Sequence, residues 1–125
     1  MKRELPLATA GLVLITSVGC LYRYHSANCK QLGDAYRLRV GTLEREAHEK
    51  LRIGTKKDDV VRFFRENGIP VAFTRDEASG TIQTTGCAPS GCGSDAALLG
   101  VRVKVDEAGT VVSEPVVGAI YTDCL

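Results

Sequence analysis

The sequence predicts an α+β fold: two helices packed on an antiparallel sheet of three to four strands, behind an N-terminal signal or anchor segment. Three observations carry the prediction. Residues Ile53 to Pro70, IGTKKDDVVRFFRENGIP, read as one amphipathic helix with signals at both ends. Leu99 to Val105 alternates apolar and polar residues, the pattern of a strand with one buried face. Leu5 to Tyr22 runs without a charge behind Lys2 and Arg3. The expected divisions are residues 1–22 as signal peptide or membrane anchor, 23–41 as a polar lead, and 42–125 as the α+β domain.

Eighteen residues of helix from Leu5 span about 27 Å, just short of a hydrocarbon core of about 30 Å. Leu12 to Ile15 fits the apolar centre of a secretory signal. Ser17-Val18-Gly19-Cys20 resembles a bacterial lipobox, which makes Cys20 the expected lipidation site and the first residue of the mature chain. A retained membrane helix and an ordinary cleaved signal are the alternatives. Tyr22, Arg23 and Tyr24 suit the interfacial belt beside an anchor. Arg23, Lys30, Arg37 and Arg39 follow the apolar run, and for a retained helix that bias favours a cytoplasmic domain. The cysteines argue the other way. There are five, Cys20, Cys29, Cys87, Cys92 and Cys124, and setting Cys20 aside for a lipid leaves an even four. Four suit two disulfides in an oxidising compartment. The expected location is therefore the cell envelope, with the domain facing the periplasm or the exterior.

Asn28 to Val40 is polar with scattered Leu32, Tyr36 and Leu38, and reads as a helix-prone spacer. From Thr42 a helix is expected, because Leu43, Ala47 and Leu51 recur every four residues with charged neighbours on the other sides. Gly54 breaks it. In the next helix Thr55 is the expected N-cap and Asp58, three residues on, its capping-box partner. Val60, Val61, Phe63 and Phe64 supply the apolar face. Gly68 fits the left-handed position after the last turn, with Ile69 placed to touch Phe64 in a Schellman stop, and Pro70 prevents resumption.

Gly54, Val60, Phe63, Phe64 and Gly68-Ile69-Pro70 together resemble the signature of the small outer-membrane-assembly lipoproteins, the BamE or SmpA/OmlA-like family. That signature is a Gly, a capped helix with Val and a pair of large apolar residues, then Gly-x-Pro. The family's cap position falls on Lys56 here, and the hydroxyl comes one residue earlier. The resemblance implies two helices followed by an antiparallel sheet on a lipid anchor, a unit shared with the β-lactamase inhibitor protein. It also implies a part in assembling or steadying an outer-membrane complex.

In the C-terminal half, Val71 to Phe73 and Thr81 to Thr85 are strand candidates around a polar turn, Arg75 to Gly80. Leu99, Val101, Val103 and Val105 point to one side of the best strand. Asp106 to Gly109 is a hairpin turn, and Val111 to Tyr121 returns as the last strand. Pro115 donates no ladder bond and marks an edge or a bulge. A meander of this kind gathers Cys87, Cys92 and Cys124 at one end of the sheet. The preferred pairing is Cys87 with Cys92, pinning the loop Gly86 to Gly93, and Cys29 with Cys124; four cysteines allow three pairings and the sequence does not choose.

No catalytic constellation is expected. His25 and His48 have no evident nucleophile partner, and Ser90 lacks the strand–turn–helix setting of a nucleophile elbow. No Cys-x-x-Cys is present, only Cys87/Cys92 approaches zinc spacing, and no cofactor or metal is called for. From Arg23 to Arg65 eleven Lys/Arg stand against six Asp/Glu, and from Glu66 onward three against eight. A basic half beside the anchor suits anionic headgroups. Without a dense basic stripe interleaved with aromatics, nucleic acid is not an expected partner. The expected function is a non-enzymatic envelope module, tied to the membrane by the Cys20 lipid or residues 5–22. It binds an envelope protein partner through an exposed sheet edge and the pinned loop. The alternatives are an inhibitor-like or ligand-binding exported module using the 86–93 loop, and a thiol redox or zinc protein.

Overall fold

The computed structural model describes residues 8–124, and side chains from residue 28 onward. The expectations placed on residues 1–22, and on Cys20 as a lipid site, lie outside the described side chains. Among the described residues no helix is long and apolar enough to cross a membrane.

Two helices lie on one face of a four-stranded antiparallel sheet, so the expected α+β architecture is present. Helix α1 runs Ala8–Lys50 and α2 Lys57–Glu66. The strands are β1 (Ala72–Phe73), β2 (Glu77–Thr85), β3 (Ala96–Lys104) and β4 (Val116–Tyr121), paired in sequence order.

The spacer expected over residues 23–41 and the helix start at Thr42 are corrected, because α1 is continuous through them. Gly33 and Tyr36 are buried, Val40 is half-buried, and Leu43, Ala47 and Leu51 follow on the same side. One stripe of the helix is thus committed to the core over at least five turns, which the helix's low overall apolarity hides. The packed unit therefore begins near Cys29.

Thr55 ends α1; it does not cap α2. Its hydroxyl donates back to Arg52 O at 2.7 Å. Gly54, at φ +96°, donates its N–H to Val111 O, and Val111 N–H returns a bond to Thr55 O. With Thr55 held in this ladder, the N-cap falls on Lys56, which is extended and makes no side-chain cap. The capping box with Asp58 is therefore absent. Asp58 and Asp59 still face the positive end of the helix from its first turn.

The other end is as expected. Gly68 has φ +66°, Ile69 N–H donates to Phe64 O, and Gly68 N–H donates to Arg65 O. This is the Schellman pair of bonds, and both Phe64 and Ile69 are buried.

In the sheet, Ala97, Leu99, Val101, Val103 and Val105 face the helices, and all are buried. The chain reverses earlier than expected before β2. Thr74 N–H bonds Glu77 O, so Glu77 to Gly80 belong to the strand and pair with Lys104 to Val101. Small residues are needed there. Ala78 is fully buried, and a Cβ on Gly80 would collide with Pro70 O and lie 2.7 Å from Ile69 Cγ2. The last strand is shorter than expected. Val111 makes an isolated bridge to Val105, closing the Asp106–Gly109 turn, and β4 starts only after Pro115. Asp106 Oδ1 accepts from Ala108 and Thr110 N–H in that turn.

Candidate functional site

Two regions concentrate unusual chemistry: the sulfur-crosslinked end of the sheet and the sheet face that no helix covers.

At the crosslinked end the pairing is Cys29–Cys87 and Cys92–Cys124, with Cα separations of 4.9 and 4.1 Å. The expected Cys87–Cys92 and Cys29–Cys124 bridges are overturned. The cause is α1, whose stripe passes the end of β2. Cys29 and Gly33 share a helix face at i, i+4. Gly33 brings no side chain to this crossing, where a Cβ would sit 2.9 Å from Cys87 Cβ. The 86–93 loop is accordingly not a closed finger. Cys87 is fixed to α1 and Cys92 to the C-terminal segment, while Gly86 N–H bonds Asp95 O and Ala88 N–H bonds Asp95 Oδ1. Gly93 N–H bonds Asp123 O at 2.7 Å.

Tyr121 locks the same end. Its hydroxyl accepts from Cys87 N–H at 3.1 Å and donates to Cys87 O at 3.0 Å. Its ring lies against Tyr36, centroids 5.3 Å apart. Burial raises the Tyr36 phenol above its ordinary 10.0, and the neighbouring Tyr121 adds to the rise.

The residues weighed as catalytic candidates in the sequence lie apart from this end. His48 Nδ1 is 2.8 Å from Glu44 O, and its Nε2 is 3.5 Å from Glu114 Oε2, on an exposed surface. Ser90 is exposed in the loop. Among the described residues there is no group of three His, Cys, Asp or Glu able to hold a metal.

The outer sheet face is different. Strand alternation turns Ser79, Thr81, Leu98, Gly100, Arg102, Val116, Gly118 and Ile120 away from the helices. The register sets Thr81, Gly100 and Gly118 in one row across three strands. With glycine at two of these positions the row is a trough, walled by Leu98 and Ile120 on one side and by Arg102 and Val116 on the other. Together with Pro70 and Ala72 it forms a depression of about 700 Å³. Arg102 is the one charged side chain lining it. Val116 and Ile120 are 55% and 62% exposed, although both belong to a regular strand.

No family model, curated protein or solved structure matches the chain. Gly54 and Gly68 hold positive φ, and Val60, Phe63 and Phe64 are the buried face of α2. The outer face was not foreseen as a site. Its signal was the pair of glycines on consecutive strands, Gly100 and Gly118, which share a row only once the register is known.

Proposed function

We propose that this chain is a non-enzymatic, membrane-tethered module of the cell envelope that binds a protein partner on its uncovered sheet face. The observation that carries the reading is the apolar trough across Thr81, Gly100 and Gly118, with Arg102 on its wall. A contiguous apolar surface rimmed by polar groups favours an interaction role. Four cysteines paired in disulfides support an oxidising compartment, and hence export. The lipobox-like Ser17 to Cys20 segment supports a lipid tether at Cys20. The resemblance of Gly54 to Pro70 to the outer-membrane-assembly lipoproteins supports a partner within an outer-membrane complex.

The test is a photo-crosslinking residue placed at Thr81, at the end of the trough, in the full-length chain within its native envelope. A reproducible protein adduct at this position, absent when the probe is moved to exposed Arg45 on α1, is the expected result. Equal, non-specific labelling from both positions refutes the reading. Mass spectrometry of the mature N-terminus reports the tether: a diacylated Cys20 is expected, and an unmodified full-length chain refutes it.

A further inference from the structure

We propose that the open edge of β4 pairs with β4 of a second copy of this chain, antiparallel about a two-fold axis at Gly118, to form one continuous eight-stranded sheet. The two edges of the sheet are not alike. The β1 edge is two residues long and follows Pro70, so it offers little to a partner strand. The β4 edge is six residues long, and no charged residue lies between Glu114 and Asp123. Between Val116 and Tyr121 it carries no lysine, proline or bulge, the usual protections of an exposed edge, and Pro115 bounds it at one end.

The direction of its hydrogen-bonding groups follows from the ladder. Thr122 N–H donates to Ala96 O at 3.0 Å, and the register continues one-to-one through Ile120, Gly118 and Val116 against β3. In an antiparallel ladder bonded pairs alternate, so Val117, Ala119 and Tyr121 direct their main-chain groups to the open side. With the axis at Gly118, Val117 and Ala119 each meet the other in the second copy by donor and acceptor, while Tyr121 N–H meets the carbonyl of Pro115, which has no N–H to return.

The apolar pattern of the strand fits it to a second copy of itself. An axis at Gly118 sets Val116 opposite Ile120 of the second copy, and Ile120 opposite its Val116. Those are the two large apolar side chains left most exposed on this strand. Gly118 meets Gly118 at the centre, where nothing lies within 4 Å of a Cβ position. The same axis sets Glu114 against Thr122 and Asp123 against Ser113, so no like charges stand directly opposite. A surface that complements itself about a two-fold axis is the requirement for an isologous dimer. Val116, Gly118 and Ile120 belong both to this seam and to the trough, whereas Thr81, Gly100 and Arg102 lie outside the seam, so a crosslink from Thr81 reads the partner and protection of the β4 amides reads the dimer.

The test uses the full-length chain in mild detergent, followed by density-matched sedimentation equilibrium and amide hydrogen exchange. The expected result is a concentration-dependent dimer in which the Val117, Ala119 and Tyr121 amides gain about tenfold or more protection. Val116→Lys and Ile120→Glu should each weaken the dimer about tenfold or more, and an equimolar mixture of the two variants should recover it, because the axis brings the new opposite charges together. Both positions are exposed, and circular dichroism verifies that each variant is folded. A monomer at every concentration with freely exchanging β4 amides leaves the edge to a strand of another protein and overturns the proposal. A dimer without new β4 protection, joined through the N-terminal segment, overturns it too, as does a mixture that fails to recover.

Discussion

The phenol of Tyr121 and the main chain of Cys87 hold each other by two hydrogen bonds, one given and one taken. This contact joins the last strand to the residue that is crosslinked to α1, so one side chain ties three segments. Tyr121→Phe keeps the ring against Tyr36 and removes both bonds. A loss of about 1–2 kcal/mol is expected in urea unfolding of the oxidised protein.

The two crosslinks should be unequal. Cys29–Cys87 closes a separation of 58 residues and Cys92–Cys124 one of 32. Each is worth about 2–4 kcal/mol, and the chain-entropy model makes the longer one stronger by about 0.5 kcal/mol. Non-reducing peptide mapping should recover these two pairs, and the Cys29→Ser/Cys87→Ser variant should unfold more readily than Cys92→Ser/Cys124→Ser.

Two glycines within α1 should respond to alanine in opposite directions. At Gly41 a Cβ meets nothing within 4 Å, so Gly41→Ala gains helix propensity of about 0.5–1 kcal/mol. At Gly33 the same Cβ lies 2.9 Å from Cys87 Cβ, and overpacking of about 1–3 kcal/mol outweighs the propensity gain. Thermal midpoints should rise for Gly41→Ala and fall for Gly33→Ala.

The bare start of α2 is an opportunity for stabilisation. Lys56 occupies the N-cap in an extended conformation without a side-chain bond. Lys56→Asp supplies an acceptor for a free N–H of the first turn and a favourable charge at the helix start. A gain of about 0.5–2 kcal/mol is expected in denaturant unfolding. Thr55→Ala removes a hydroxyl bond to Arg52 O and weakens the end of α1.

Alkaline pH should weaken the fold through Tyr36. Its phenol is held protonated above the ordinary 10.0, first by burial and then by Tyr121. Above about pH 10 the unfolded chain releases this proton while the folded one retains it, so stability is intact below that pH and falls as pH rises through it. An absorbance titration of phenolate formation should show a tyrosine lagging behind the ordinary range, and the Tyr36→Phe variant should lose the lag.

How far the sequence was legible depended on how local each signal was. Leu99 to Val105 announced its buried face because alternation needs no partner to be seen. Gly68 and Ile69 announced the end of α2 because the Schellman stop is written within six residues. Thr55 misled because a hydroxyl between two helices can serve either one, and the ladder with Val111 decides. Glu77 to Gly80 has the composition of a turn, yet the close passage of Pro70 and Ile69 demands small residues in a strand there. The pairing of Cys29 was hidden because it depends on α1 running unbroken past Gly33, a fact of tertiary packing. The trough across Thr81, Gly100 and Gly118 depends on register, which residues about 20 apart in sequence do not reveal.

The sulfur bridges also decide how this molecule answers to mechanical load. Tension applied between the segment before Cys29 and the end at Cys124 crosses into Cys87, runs through the four residues Ala88 to Gly91, and leaves by Cys92. That covalent shortcut excludes the helices' core stripe and the whole sheet from the force path. Oxidised, the body of the protein hangs beside a taut thread of a few residues and can be pulled end to end without being unravelled; reduced, the same pull acts directly on the fold.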